Sequence, residues 1–174
     1  MGTHETMKGQ RRGSSISGGF SIIELVVIVA VLAVVSAIGF PFYMTFQRAQ
    51  ETDGAARTLV TALNQARQLA ITRSSSFSVQ TQTNPTNQMR FCSGTTLPCP
   101  GASVWTGAGT DGAGWRTLEN GSRIVLGPNI TFSSLGAATA SGTLRVQNSS
   151  ATGCLDVVVS PSGRIRITAP AACP

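Results

Sequence analysis

Gly19-Phe20-Ser21-Ile22-Ile23-Glu24 opens an apolar run that reaches Phe46, and the reading of this stretch decides the fold. From Ile22 onward the run is broken mainly by Glu24, Ser36 and Thr45. At about 1.5 Å of helical rise per residue, Leu25 to Met44 alone covers roughly 30 Å, the thickness of a hydrocarbon core. A carboxylate just inside such a segment is costly, because charged groups within membrane spans are rare and usually paired. Glu24 therefore calls for a functional explanation.

The flanks narrow the choice. Upstream lies a polar leader carrying Lys8, Arg11 and Arg12, which ends in Gly18-Gly19. An ordinary secretory signal has a short apolar region before a small-residue cleavage site and loses that region on cleavage. Here the run is long, and a cut on its polar side would keep it as an anchor. A plain anchor explains the length but neither Glu24 nor the junction of glycine with an aromatic residue.

Together these residues resemble a type IV pilin-like precursor. The resemblance implies that a prepilin peptidase cuts between Gly19 and Phe20 and that Phe20 becomes the N-methylated terminus. It places Glu24 at the family's glutamate position and Pro41, close to Gly39, at its helix-breaking proline. In a filament the Glu24 carboxylate would neutralise the N-terminal amine of a neighbouring subunit. A buried charge without its partner costs several kcal/mol, so the pair would select the register of assembly. The basic leader should stay cytoplasmic. That makes the chain a single-pass inner-membrane protein whose C-terminal part faces the periplasm or the cell exterior. The expected division is a leader over 1–19, a transmembrane and assembly helix over 20–47, an amphipathic helix over 48–73 and a periplasmic β domain over 74–174.

Composition agrees with a small structural subunit. Removing the leader leaves about 155 residues, enough for one anchor helix and one modest domain. Aromatic residues make up 6% and charged residues 11%, with 19 glycines, which suits a loop-rich β domain. From Arg48 onward ten arginines face Glu51, Asp53, Asp111, Glu119 and Asp156, and the only lysine is Lys8. Four cysteines in an exported domain read as two disulfides. Three connectivities are possible. The favoured one joins Cys92 to Cys99 across a short loop and Cys154 to Cys173 across a hairpin. No metal or other cofactor is expected, since the only histidine is His4 and no CxxC pair occurs. Neither a nucleophile elbow, a phosphate loop nor a clustered carboxylate pair is present, so an enzyme is not expected.

Leu59, Leu63, Ala66 and Ala70 recur at helical spacing, which carries the helix past Pro41 to about Arg73 with a kink near Gly39-Phe40-Pro41. Beyond Ser74 the period changes to that of strands. Alternation predicts strands at 77–80, 89–91, 123–126, 130–132 and 143–147, with Leu144 and Val146 pointing inward. Leu155 to Val159 is mostly apolar and predicts a central strand, and 94–114 predicts a mobile loop. The fold class is thus α+β, a long N-terminal helix packed on an antiparallel β domain. This order, closing in Ser160-Pro161-Ser162-Gly163-Arg164, resembles the GspH/FimT group of minor pilins and pseudopilins.

One more stretch carries chemistry. In Gly163-Arg164-Ile165-Arg166 the two arginines lie two apart on a strand, side by side at about 7 Å, with Ile165 and Ile167 on the other face. Paired guanidinium groups match successive phosphates. FimT-like pilins of transformable bacteria carry a Gly-Arg-x-Arg motif that binds DNA, and the resemblance makes Gly163, Arg164 and Arg166 candidate DNA contacts. Arg145 and Arg123 are candidate auxiliary contacts. The plainer alternative is an edge strand whose arginines discourage sheet-to-sheet association. Few aromatics are at hand to stack bases, so binding would be to backbone phosphates and salt-sensitive. The expected function is a minor type IV pilin acting in pilus assembly, with DNA binding as an added role. The alternative is a pseudopilin of a type II secretion filament that never meets DNA. Expected partners are other pilins through the N-terminal helix, the prepilin peptidase and the inner membrane.

Overall fold

A computed structural model describes residues 20–83, 87–118, 121–170 and 172–173. Gly19 and the rest of the expected leader lie outside the described residues. The chain divides at Pro41 into two compact units.

The first helix, α1, runs from Ile22 to Thr72 and continues through Pro41. The proline removes one amide donor but does not end the helix. Up to Gln50 its side chains are exposed or half-buried; beyond that, a buried stripe appears at Thr52, Ala55, Ala56, Leu59, Ala62, Leu63, Ala66 and Ala70. The many alanines in the stripe let the helix backbone approach its neighbours closely. The helix ends where Ser74 takes a positive φ of 48°. The Ser74 amide donates to Ile71 O and the Ser75 amide to Ala70 O, the paired bonds of a Schellman cap with serine in the position glycine usually holds.

The β region is antiparallel, as expected, and is divided into two sheets. In the first, β1 (Phe77–Gln82) pairs with β2 (Gln88–Ser93) on one side and, on the other, with β5 (Ile130–Phe132). β3 (Arg116–Thr117) extends the β2 edge and β6 (Ala138–Ala140) the β5 edge. The second sheet has the order β4 (Arg123–Leu126), β7 (Gly142–Gln147), β8 (Cys154–Val159), β9 (Ile165–Thr168). β8 has a partner on each side, as a central strand should. Gly127-Pro128-Asn129 carries the chain from the second sheet into the first.

Both sheets and the buried stripe of α1 share one core. Leu59 and Leu63 from the helix meet Phe77, Phe91 and Phe132 from one sheet and Leu144, Val146 and Val157 from the other. Buried polar groups inside it are satisfied. Ser78 Oγ lies 2.9 Å from Thr131 Oγ1 and donates to Gly94 O at 2.8 Å.

The stretch 94–114 is a built excursion. Trp105 packs on Phe91 with ring centroids 5.7 Å apart, and Arg90 sits 4.4 Å from the Trp115 ring centre. Arg90 also donates to Gln80 Oε1 and Cys99 O, while Asp111 Oδ1 accepts from the Ala113 and Trp115 amides. Both favoured disulfides are present, Cys92–Cys99 and Cys154–Cys173.

Candidate functional site

Two surfaces carry the chemistry singled out in the sequence. The first is the start of α1. Phe20 is 74% exposed and precedes the helix, and Glu24 falls in the first helical turn, where a carboxylate complements the positive end of the helix dipole. Among the described residues Glu24 has no ion-pair partner. From Ile22 to Ile38 every large apolar side chain is at least 45% exposed, and the helix is long and apolar enough to cross a membrane. Water would not tolerate such a surface; lipid or neighbouring helices would.

The second surface is the turn between β8 and β9. Ser160 to Gly163 forms a β-turn closed by Gly163 N donating to Ser160 O at 2.8 Å, with Pro161 in its second position. Ser160 also donates through its amide and its hydroxyl to Arg164 O. Gly163 has φ 79°, and a Cβ there would overlap Gly136 O in the turn between β5 and β6. Only glycine permits that approach. The same Gly136 O accepts a hydrogen bond from Arg67 Nε of the helix at 2.9 Å, and Ala138 N donates to Pro161 O at 3.0 Å. Helix, first sheet and second sheet thus meet at this turn.

Arg164 stands just before β9 and Arg166 within it, on the edge of its sheet. Both are exposed, while Ile165 and Ile167 are half-buried against the core. Among the described residues neither arginine has an ion pair or a side-chain hydrogen bond. Gly163, Arg164 and Arg166 are therefore brought together, with the glycine shaping the turn and the two cations facing outward.

The candidate auxiliary arginines do not join them. Arg145 is bound to its cross-strand neighbour Asp156 by two parallel bonds, Nε to Oδ1 at 2.6 Å and a terminal nitrogen to Oδ2 at 2.9 Å. That hydrogen-bonded carboxylate raises the guanidinium pKa above its ordinary value, with some opposition from burial. Arg145 is thus neutralised in place. Arg123 lies on β4, at the opposite edge of the sheet from β9. Three strand spacings put it roughly 14 Å away. Sequence reasoning missed Arg67 and Gly136, which position the turn. Gly136 follows a Ser-Ser-Leu stretch that reads as a turn, but nothing in the sequence links it to position 163.

The family described as Type II transport protein GspH matches residues 55–163. That match ends at Gly163, so Arg164 and Arg166 lie beyond it. No curated protein sequence matches the chain. Among solved structures, the type IV minor pilin FimU of Pseudomonas aeruginosa is similar, at TM-score 0.55 and 17% identity over 74% of this chain and 99% of that one. The minor pseudopilin EpsH of the Vibrio cholerae type 2 secretion system is similar at TM-score 0.51 and 19% identity, over 70% of this chain and 99% of that one. At these identities the structures speak for the fold, the pilin-like helix laid on antiparallel sheets. With the family match spanning more than half of its length, the chain belongs to the GspH family of type IV pilin-like minor pilins and pseudopilins.

Proposed function

We propose that this chain is a minor type IV pilin, a non-enzymatic subunit that acts in the initiating or tip complex of a pilus. A prepilin peptidase removes 1–19 by cutting between Gly19 and Phe20, and Phe20 is then N-methylated. Residues 20–47 hold the subunit in the inner membrane and later bundle with the helices of other pilins, 48–73 form the amphipathic half of the helix, and 74–174 form the periplasmic domain. The observation that carries this reading is the exposed apolar face of the helix from Ile22 to Ile38, interrupted by one carboxylate, Glu24, that has no ion-pair partner among the described residues. In the bundle that acid meets the N-terminal amine of a neighbour, and a subunit out of register leaves a charge buried alone.

Within the same reading, Arg164 and Arg166 hold DNA by its phosphates during uptake. Their support is exposure, their spacing two apart in sequence and the lack of an ion pair to either among the described residues. A type II secretion pseudopilin is the second reading, favoured by the family's description as a type II transport protein. Deleting the gene separates the two. Loss of surface pili with secretion intact supports the pilin, and loss of secreted exoproteins with pili intact supports the pseudopilin.

A further inference from the structure

A groove of about 260 Å³ lies between α1 and the turn joining β7 to β8, lined by Thr45, Arg48, Thr52, Asn148, Thr152 and Gly153. Its floor is ordered by Asn148, which is 1% exposed. Asn148 Oδ1 accepts from the Thr152 and Gly153 amides, and its Nδ2 donates to Thr152 Oγ1 at 3.0 Å. Because that hydroxyl oxygen is used as an acceptor, its own proton remains to be donated. Gly153 keeps the floor low, since a Cβ there would stand 3.4 Å from Thr52 Oγ1.

Arg48 is half-buried at this groove. Among the described residues no carboxylate pairs with it. Asp53 is bound to Arg57 at 2.6 Å, and Glu51 Oε2 accepts from Ser149 Oγ at 3.1 Å. The Thr52 hydroxyl is already donated to Arg48 O at 3.1 Å, which leaves the guanidinium and the Thr152 hydroxyl, with no acid opposite among the described residues, as the makings of an oxyanion site.

Its position along the helix says which oxyanion. Phe42, Tyr43 and Phe46 are each at least 62% exposed at the end of the apolar run. Of these Tyr43, with an apolar ring and a polar hydroxyl, is the type of residue that sits at the level of lipid headgroups. Arg48 follows Phe46 by two residues, about 3 Å of helical rise, and its stem can lie along the helix while the head stays among polar groups. Apart from Glu24, it is the first charged residue after Phe20.

We infer that this groove binds the phosphate of a phospholipid headgroup, with Arg48 as the anion's cationic ligand and the Thr152 hydroxyl as a second donor. The inference rests on the membrane-anchored reading above. Such a contact would hold the Asn148–Gly153 turn at the membrane surface until the subunit is extracted into a filament.

The test uses the full chain in vesicles of phosphatidylcholine, alone or with a third of phosphatidylglycerol, whose phosphate has no neighbouring cation. Flotation reports anchoring, and amide exchange over 148–153 reports the groove. Phosphatidylglycerol should slow exchange there by about fivefold, the effect of one basic residue at an anionic surface. Arg48→Gln should abolish the difference, while Arg57→Gln, which changes a nearby cation outside the groove, should keep it. A floating wild-type chain with no difference between the lipids overturns the proposal, as does equal loss in both variants. Equal slowing by inorganic phosphate added to phosphatidylcholine vesicles also overturns it, because the ligand is then a free anion. A chain that does not float contradicts the anchored reading itself, an outcome that flotation alone identifies.

Discussion

Gly163 is packed against the main-chain oxygen of Gly136, so closely that any side chain at 163 would overlap it. The glycine that opens the Gly-Arg-Ile-Arg stretch is therefore a contact between two turns of different sheets. Its removal should act on the fold before it acts on any ligand. Gly163→Ala adds a methyl group at positive φ and into a backbone atom, and should destabilise the domain by roughly 2–4 kcal/mol. The melting temperature should fall by about 8 °C or more. A variant that melts with the wild type would show that the turn yields freely.

The two exposed arginines behave differently. Arg164→Ala with Arg166→Ala should leave the melting temperature within about 2 °C of wild type, because neither side chain has an ion-pair partner among the described residues to lose. If they grip DNA phosphates, the double variant should weaken binding and reduce the slope of log affinity against log salt by up to about 1.8, at ~0.9 per phosphate contact. An unchanged slope in a binding assay of the folded domain would assign the contact elsewhere.

Arg145 gives the opposite pattern, and that contrast separates structural from exposed arginines. Arg145→Ala leaves the mostly buried Asp156 without its fork of hydrogen bonds and should lower the melting temperature by several degrees, while DNA affinity falls only through unfolding. The raised guanidinium pKa means that the protonated form is favoured by folding. Its stabilisation is fully present below the unfolded-state pKa and lost only as pH climbs through the higher folded-state value. Urea midpoints of wild type and Arg145→Ala should accordingly differ by a constant amount from pH 6 to 9. A gap that closes within that range would mean that another group controls the pair.

Glu24→Gln tests assembly. The variant should insert in the membrane at least as well as wild type, since a charge is removed from an apolar span. Incorporation into filaments should fall at least tenfold, because the neighbour's amine would be buried unpaired. Normal incorporation, measured by immunoblot of sheared filaments, would remove Glu24 from the assembly mechanism.

Cys154–Cys173 closes a loop across 19 positions, and chain-entropy arguments give such a bridge about 3 kcal/mol. The Cys154→Ser, Cys173→Ser variant should lose most of that in urea unfolding while keeping its far-UV circular dichroism. If the tail also steadies the arginine strand, DNA affinity should drop more than secondary structure does. Equal binding before and after reduction would leave the bridge a stability device alone.

Much of this was legible along the chain because it depends on neighbours in sequence. Apolar length, the charge at Glu24, the 3.6-residue stripe from Leu59 to Ala70 and the alternation around Leu144 and Val146 each follow from local periodicity. For the cysteines the sequence offered a preference among three connectivities, and the structure has the favoured one, with one pair 7 residues apart and the other flanking a hairpin. The two short edge strands, Arg116–Thr117 and Ala138–Ala140, escaped notice. Pieces of two and three residues have no period of their own and exist only through the strands they extend.

The sequence by itself therefore determined the class of the protein, a membrane-length helix followed by an antiparallel β domain. It also determined which arginines deserved attention, but not which were available. The tertiary structure decided that Gly127-Pro128-Asn129 passes between two sheets, that Arg145 is neutralised by Asp156 while Arg164 and Arg166 stay exposed, and that Arg67 and Gly163 converge on one carbonyl. Those facts depend on residues 11 to 96 positions apart coming within a few ångströms, and only packing of the whole core selects such contacts.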